Sequence, residues 1–561
     1  MNLPEPQSVT FPSLFDQIQH GTIKLPQFQR GFVWSRAQSA RLLDSIIKGY
    51  PIGTFILWST HERLRAIHNL GGLDLPDTPP GNAVKYVLDG QQRLTSLFVT
   101  LKGLKIRRND EQEDDYSQIW LDLNAQEDED LVLLDKKERD PSSLIQLSEL
   151  FRGDFKYLAS FPDAAQDRIK LYKNRIESYQ FSAVQITNAS IDVATEIFTR
   201  LNVGGKPLTP FEIMVAKSYD PLRSFDLAEQ YNALINKLGG IEYDTIPASI
   251  LLQTVSMLAV RDARRKVILR LTKDQVIDTW PKMTDGLELA IDYLRTAYCI
   301  TASRLLPYPA LLIPFTYFFH RHPKNPSGDR AKYLEDFFWR VALSGRYSQS
   351  VESRSLQDVE RMDRMLDNER PTYDWAIDVS PQFIEQNGYF TVSRSFIKAL
   401  VCLLARKKPR SFETDVPIHL DNDWLKQANS KNYHHFFPKA WLKKKGYTDR
   451  QINHIANITL VDDFLNKKVI QAKAPRDYIR QCAKENERIV RTLGTHLIGD
   501  PETWGIMSND YDVFFRKRCQ KLSKELSKLI LPADVDTALV AVPATETVDE
   551  FTVEEGVDKD G

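Results

Sequence analysis

Two adjacent histidines, His434 and His435, stand in the stretch NYHHFFPK, and residues of this type could assist cleavage of a phosphodiester. Metal-assisted cleavage needs a divalent ion that stabilises the developing charge and a neutral imidazole that takes a proton from water. Side chains alternate along an extended strand, so the two imidazoles would point to opposite sides of it. One would then face the ion and the other the water. A histidine pair beside aromatic residues can also be an ordinary interface feature, and the pair alone favours that interpretation.

The elements that would position these groups can be read from the residues that follow. Asn457 leads into Ile458–Val461, a run that is typical of a strand. Residues 462–470 have a helical pattern, which would place Asn466 over the same site. A short strand pair and a helix can present all of these groups on a small scaffold.

Basic residues are concentrated around this candidate site. The segment from Lys431 to Lys484 holds twelve Lys and Arg against four Asp and no Glu. Such a run is ordinarily a solvated helix face, but it can also follow the phosphates of a nucleic acid. Residues 407–431 before it are polar and are predicted to be a linker.

The segment YVLDGQQRLTSL is the sharpest pattern in the first half of the chain. Val84–Leu88 predicts a strand, Asp89 and Gly90 a turn, and the apolar spacing a helix from near Gln91. This junction places free backbone N–H groups and the positive end of the helix dipole at one point, where a phosphate could bind. Arg93 adds a forked donor, and Asp89 could hold a metal or orient water. The structural alternative is that Asp89 caps the helix and Arg93 pairs with an acid.

A second polar cluster stands in the segment LPQFQRGFVW. Phe32 and Trp34 are expected to pack in a core. Gln29 and Arg30 are harder to explain by packing.

A third cluster stands in FTRLNVGGKPLTPFE, where a helix is predicted to end near residue 201. The next helix begins after Thr209, and a capping box with Glu212 explains both residues without any function. Arg200, Asn202 and Lys206 remain as polar residues at the mouth of the loop.

Charge along the chain is uneven. The 561 residues carry 74 Lys and Arg against 75 Asp and Glu, and this balance by itself excludes a uniformly basic nucleic-acid binder. However, the last 29 residues hold nine acidic residues and one basic residue, so the rest of the chain is net basic. Hydrophobic residues make up 42%, which is typical of a globular protein. Four scattered cysteines and no apolar run long enough for a bilayer favour a soluble cytoplasmic protein.

The three N-terminal segments together resemble the signature of the GmrSD-type N-terminal domain, over about residues 10–215. The resemblance implies a ParB/sulfiredoxin-like α/β fold that binds and hydrolyses nucleoside triphosphates in type IV, modification-dependent restriction and phage defence. It places Asp89, Gly90, Gln91, Gln92 and Arg93 in the nucleotide site, with Gln29, Arg30, Arg200 and Asn202 nearby. The P-loop pattern GxxxxGK[ST] is absent from the sequence.

The C-terminal residues resemble the ββα-metal motif of HNH endonucleases, in the variant found at the C-terminus of the same restriction proteins. The resemblance makes His435 the general base and Asn457 the residue that braces its loop. It makes His434 and Asn466 the metal ligands. It also implies phosphate contacts by Lys439, Lys467, Lys468, Lys473 and Arg476.

Two departures from the family pattern affect this assignment. His434 stands where Asp is frequent, so Mg²⁺ or Mn²⁺ is expected but Ni²⁺ and Zn²⁺ stay open. The gap from His435 to Asn457 is long and holds a predicted basic helix at 440–445. His454, at the far end of the gap, is expected to be structural.

We therefore predict an α+β multidomain chain. Its parts would be a nucleotide-binding domain (1–215), a helical linking domain (216–405), an HNH domain (406–530) and an acidic disordered tail (531–561). The expected function is an NTP-regulated, metal-dependent DNA endonuclease that cuts modified or foreign DNA. DNA, a nucleotide and a second copy of the chain are the expected partners, and no membrane. A non-catalytic regulatory or DNA-binding subunit and an RNA-directed HNH toxin remain alternatives.

Overall fold

A computed structural model describes residues 3–25, 32–64, 66, 69–70, 73–107, 113–126, 129–136, 139–201, 209–391, 393–422, 425, 433–461, 470 and 473–538. The chain divides into two compact units. The first is Met1–Ala233 with Arg264–Trp280, and the second is Leu234–Ala263 with Pro281–Gly561. Within the described ranges, no helix has the length and apolar character needed to cross a membrane.

Twelve strands are described in the first unit. They are β1 (Glu5–Thr10), β2 (Ile23–Lys24), β3 (Phe55–Thr60), β4 (Asn69–Leu70), β5 (Leu73–Asp74), β6 (Val84–Asp89), β7 (Lys105–Arg107), β8 (Glu113–Asp115), β9 (Trp120–Asp122), β10 (Val132–Leu133), β11 (Leu144–Gln146) and β12 (Gln180–Ile186). Five of them form a mixed sheet in the order β1, β12, β3, β6, β2. Here β12 is parallel to β3 and β2 to β6, whereas β3 and β6 are antiparallel. The predicted strand at 84–88 is β6.

Helices cover this sheet. They are α1 (Phe11–Gln19), α2 (Arg36–Ile47), α3 (Gln91–Lys102), α4 (Glu149–Arg152), α5 (Phe155–Leu158), α6 (Asp163–Ser178), α7 (Ile191–Leu201) and α8 (Pro210–Ser218), with a 3-10 turn at Pro141–Ser143. α2 begins with a capping box. The Ser35 side chain accepts from the Gln38 N–H, and the Gln38 side chain accepts from the Ser35 N–H. Leu43, Ile46 and Ile47 then face the core.

The segment 107–140 is charge-dense around the run 119–123, and this pattern predicts an exposed insertion or a hairpin. The antiparallel pairs β7 with β8 and β9 with β10 agree with the hairpin, but the apolar centre is not exposed. Ile119, Leu121 and Leu123 are fully buried and belong to the main core of the first unit. They alternate along β9, which is the middle strand of a three-stranded sheet with β10 and β11. Asp122, between Leu121 and Leu123, is 1% exposed as well, so the strand lies in the interior despite the charges around it in sequence.

Helices dominate residues 227–406, most of the stretch that was predicted to be helical. The helices from 227 to 406 are α9 (Leu227–Gly239), α10 (Ala248–Val260), α11 (Arg265–Ile268), α12 (Lys273–Ala297), α13 (Leu312–Arg321), α14 (Gly328–Leu343), α15 (Val351–Leu366), α16 (Pro381–Asn387) and α17 (Ser395–Arg406), with 3-10 turns at Ser303–Leu305 and Pro309–Leu311. The unit boundary falls within α9 and α12, and α11 belongs to the first unit. In the second unit α13 packs on α10 and α15, and α14 packs on α17.

The C-terminal elements of the second unit surround a short hairpin. They are β13 (Tyr433–His435), α18 (Lys439–Lys444), α19 (Asp449–Ile452), a 3-10 turn at Ile455–Asn457, β14 (Ile458–Leu460), α20 (Pro475–Glu485), α21 (Ile489–Thr495), α22 (Tyr511–Leu526) and α23 (Asp534–Ala538). α18 is the predicted basic helix. α22 packs against both α16 and the 3-10 turn.

The polar stretch 407–431 is predicted to be a linker, but its described part is packed into the second unit. Phe412 is fully buried in the same apolar cluster as Phe436 and Phe514. The Phe412 carbonyl accepts from the buried Asn486 side chain at 2.9 Å. The buried Phe412 thus holds this part of the chain in the second unit, although the average composition of 407–431 is that of a loop.

Candidate functional site

The two predicted strands pair with each other. In the antiparallel register of β13 and β14, His434 lies opposite Thr459 and His435 lies opposite Ile458. The Phe436 N–H donates to the Asn457 carbonyl at 2.7 Å and prolongs the ladder by one bond. The hairpin therefore presents the histidine pair on a strand whose partner begins directly after Asn457.

Asn457 is fully buried, and its amide is saturated by the chain that follows His435. Its Oδ1 accepts the Phe437 N–H at 2.8 Å, and its Nδ2 donates to the Phe437 carbonyl at 3.0 Å. Nδ2 also donates to the Ile452 carbonyl at 3.1 Å. This geometry agrees with the bracing role that the resemblance implies.

His435 is half-buried, and its Nε2 lies 2.8 Å from Oδ1 of Asn453. Burial lowers the pKa of His435, the Asn453 hydrogen bond raises it, and the positive charge of Lys439 lowers it further, with a net lowering. A lowered pKa keeps the imidazole neutral near pH 7, which is the form that can accept a proton. Asn453 is absent from the sequence-based set, and a second Asn four residues before Asn457 was its only signal.

His434 lies on the other side of β13 and is 5% exposed. It is the described member of the predicted metal pair, because Asn466 lies outside the described residues. In the described part of the chain, no group of three or more His, Cys, Asp or Glu side chains is arranged to hold a metal ion. A neutral imidazole is a good ligand for the borderline divalent ions, and the metal role of His434 stays a prediction.

His454 is structural, as predicted. Its Nδ1 accepts the Ala456 N–H at 3.1 Å, and its Nε2 lies 3.1 Å from the Ile384 carbonyl. Burial lowers the pKa of His454 to about 4. Both ring nitrogens are therefore used inside the protein.

Three of the five predicted phosphate contacts are described. Lys439 is exposed at the start of α18 and is the cation that acts on His435. Lys473 donates to Gln481, and Arg476 lies 3.3 Å from Asp477 at the start of α20. Lys467 and Lys468 lie outside the described residues.

At the N-terminal site, β6 passes through Gly90 directly into α3, as predicted. Gly90 has a φ of 91°, and a Cβ there would lie 2.4 Å from the Phe55 ring. Glycine is therefore required both by backbone conformation and by space. Gln91, the first residue of α3, is 7% exposed.

Arg93 pairs with an acid, Asp89, as the structural alternative predicts. Its two terminal nitrogens donate to the carbonyls of Ile52 (2.7 Å) and Thr54 (3.0 Å), and one also donates to Asp89 at 3.1 Å. A Cβ on Gly53 would lie 2.4 Å from this guanidinium. Three N–H groups that were expected to face a phosphate thus brace the chain before β3 against the end of β6.

Gln92 connects two of the N-terminal motifs. Its Oε1 accepts the Val33 N–H at 2.9 Å, so α3 holds the chain that follows LPQFQRG. Phe32 and Trp34 pack against the core, as expected. Gln29 and Arg30 lie outside the described residues.

Arg200 ends α7 on an exposed surface, with its side chain 77% exposed and 2.5 Å from Glu196. Among the described residues, no hydrogen bond or ion pair joins Arg200 to the Asp89–Arg93 segment. Asn202 and Lys206 lie outside the described residues. The predicted capping box of α8, from Thr209 to Glu212, is confirmed.

The comparison with protein families bears on the first unit. Residues 11–219 match the family model of the GmrSD restriction endonuclease, N-terminal domain. The chain thus carries a GmrSD-type N-terminal domain, and the match supports the predicted resemblance to this restriction family. An uncharacterized protein of Methanocaldococcus jannaschii is 23% identical over 518 residues, which cover 83% of this chain and 86% of that protein. This similarity extends well past the GmrSD-type domain.

Proposed function

We propose that this chain is a metal-dependent DNA endonuclease of a restriction or phage-defence system, with an HNH-type centre on the β13–β14 hairpin. The GmrSD-type domain supports a restriction nuclease and DNA as its substrate. The observation that carries the proposed centre is the buried Asn457 amide, which braces Phe437 two residues after His435. A decayed scaffold would have no reason to keep a fully saturated brace behind an imidazole.

In this proposal His435 takes a proton from water at its free ring nitrogen. The water oxygen forms a bond to phosphorus as the phosphorus–oxygen bond to the leaving sugar breaks, and that oxygen keeps the electron pair. Lys439, whose charge already acts on His435, would contact the scissile phosphate.

His434 and Asn466 would hold a divalent ion, with Mg²⁺ and Mn²⁺ as the first candidates. When bound, such an ion stabilises the charge that develops on the phosphate and the leaving oxygen. An imidazole in place of a carboxylate leaves this pair neutral, so Ni²⁺ and Zn²⁺, which accept nitrogen ligands, stay open beside Mg²⁺ and Mn²⁺. Lys467, Lys468, Lys473 and Arg476 would contact the flanking phosphates.

We further propose that the GmrSD-type domain binds and hydrolyses a nucleoside triphosphate, and that this controls cleavage. Support comes from the β6–Gly90–α3 junction, where the backbone N–H groups that open α3 have no acidic side chain in the first turn. Gln91 and Gln92 lie at this end, and Gln29, Arg30, Arg200 and Asn202 complete the proposed set. Asp89 forms an ion pair with Arg93, and Arg93 thereby holds Asp89 in place at the site.

The test is cleavage by the purified full chain with Mg²⁺ or Mn²⁺, using unmodified DNA, modified phage DNA and RNA as substrates. His435→Ala should abolish cleavage. His419→Ala is the matched control. The His419 side chain is 82% exposed, and its ion pair with Asp421 is long, at 3.9 Å. Cleavage that survives His435→Ala would overturn the HNH assignment.

The choice of substrate separates the alternatives. Cleavage of RNA alone would favour a toxin, and DNA binding without cleavage under any ion would favour a regulatory subunit. Binding of each nucleoside triphosphate, measured by calorimetry on the same protein, tests the proposed nucleotide site. No binding by any of them would overturn that part of the proposal.

A further inference from the structure

The His435 ring contacts a side chain whose position is fixed by a part of the chain far away in sequence. Nε2 of His435 lies 2.8 Å from Oδ1 of Asn453, the C-terminal cap of α19. A neutral imidazole carries a proton on one nitrogen only, and the partner of one nitrogen decides which of the two is bare. An acceptor at Nε2 selects the ring with a proton on Nε2.

We infer that Asn453 is the positioning residue of the proposed general base. Its side-chain carbonyl accepts the Nε2–H of His435, fixes the ring plane, and leaves Nδ1 as the nitrogen that takes the proton from water. This inference rests on the proposed nuclease function. It assigns a role to a residue outside the motif that suggested that function.

The backbone of Asn453 is held from two sides. Its N–H donates to the Asp449 carbonyl at 2.9 Å, which closes α19, and its carbonyl accepts the Phe390 N–H at 2.8 Å. Two residues further on, the Ile455 N–H donates to the Gly388 carbonyl at 2.8 Å. Residues 388–390 therefore pair with 453–455 like a short antiparallel ladder.

Further contacts fasten the same segment. Tyr389 and His454 form an antiparallel bridge, and the His454 ring reaches the Ile384 carbonyl. Arg450 donates to the Gln386 carbonyl at 2.6 Å. Residues 384–390 thus fix the position of Asn453, and Asn453 fixes the orientation of the His435 ring.

The first measurement is the tautomer of His435 in the full chain, by ¹⁵N–¹H spectra of histidine-labelled protein at a pH where the ring is neutral. The signal is assigned by its loss in His435→Ala, since the chain has ten histidines. We expect the Nε2–H form. A ring protonated on Nδ1 in the unaltered protein would overturn the inference whatever the activity.

The second measurement uses two substitutions at one position. Asn453→Leu keeps the size but removes the acceptor, and we expect mixed tautomers and a kcat lower by on the order of 100-fold, with KM unchanged. Asn453→Asp keeps an acceptor, and we expect the Nε2–H form to persist. Asn387→Leu is the control, because among the described residues the Asn387 side chain bonds the Phe383 carbonyl of its own helix and no other group.

The outcomes separate this inference from the proposed function. If Asn453→Leu keeps both the tautomer and kcat while His435→Ala is inactive, the nuclease stands and the positioning role fails. If His435→Ala remains active, the proposed function fails. If Asn453→Leu does not fold, the tautomer of the unaltered chain and of Asn453→Asp decides.

Discussion

The carboxylate of Asp536 closes over the buried guanidinium of Arg340, with its two oxygens 2.9 and 2.5 Å from the two terminal nitrogens. Arg340 is fully buried, and Asp336 takes its Nε–H from the same helix at 3.1 Å. The Leu531 carbonyl accepts from the same guanidinium at 2.7 Å. The tail was expected to lack a fold from residue 531, but residues 531–538 are docked on the second unit, because a buried cation requires their oxygens.

We predict that Asp536→Asn lowers the free energy of unfolding of the second unit by about 2 kcal/mol, since Arg340 keeps only part of its counter-charge. Urea titration followed by tryptophan fluorescence would measure it. A chain ending after residue 538 should unfold like the full chain, whereas one ending after residue 530 should match or exceed the loss in Asp536→Asn. Equal stability of the full chain, the chain ending after residue 530 and Asp536→Asn would contradict this prediction.

The Glu525 carboxylate should make stability depend on pH. Burial opposes its ionisation, but hydrogen bonds from Lys407 and Lys528 and their charges lower its pKa from 4.5 to about 2. A depressed pKa in the folded state stabilises the protein fully above the unfolded value and loses that effect as pH falls toward the folded value. The stability difference between the unaltered chain and Glu525→Gln should therefore be constant above about pH 5 and shrink between pH 4.5 and 2. Urea titrations at several pH values would show it, and a pH-independent difference would refute it.

Gly388→Ala should impair the proposed nuclease centre without altering any residue in it. A Cβ at position 388 would lie 2.2 Å from Nε2 of His454 and 2.6 Å from the Ile384 carbonyl, so the paired segments must separate. We expect a loss of about 1–3 kcal/mol in stability and a slower initial rate of DNA cleavage. Gly494→Ala is the control, because a Cβ there meets nothing within 4 Å. Equal cleavage rates in the two variants would show that the pairing does not matter.

Arg93 and Arg200 should behave differently although both belong to the predicted nucleotide set. Arg93→Ala removes the bonds to Ile52, Thr54 and Asp89, and we expect the first unit to lose about 3 kcal/mol of stability. Arg200→Ala changes an exposed side chain and should leave stability unchanged while weakening nucleotide binding. Thermal unfolding and calorimetry with a nucleoside triphosphate would measure both effects. A destabilised Arg200→Ala or a fully stable Arg93→Ala would contradict the assignment.

The sequence predicted the local elements well because they depend on neighbours. Helix α3, the capping box at Thr209 and the strands on either side of the long gap all follow from spacing and cap chemistry. The acid partner of Arg93 was one of the stated alternatives, but its contacts with Ile52 and Thr54 could not be predicted. Both residues are some forty positions away and offer backbone carbonyls that every residue has.

The candidate centre shows the same limit. The family pattern led to His435 and Asn457, whose relation is set by one hairpin. Asn453 was missed because its place depends on Phe390, sixty-three residues earlier, through a backbone bond that leaves no trace in side-chain type. Phe412 was missed because a single apolar anchor is invisible in an average over a polar stretch.

The pairing of residues 388–390 with 453–455 also bears on how such a nuclease could be inherited as a module. A fragment starting at residue 406, where composition suggests a border, would leave behind residues 388–390, which pair with the segment of Asn453. A transferable unit has to include α16, which starts at Pro381. Recombination that exchanges cutting domains between defence proteins would therefore carry α16 along with the histidines, and a fragment beginning at 381 is the smaller piece with a chance of cutting alone.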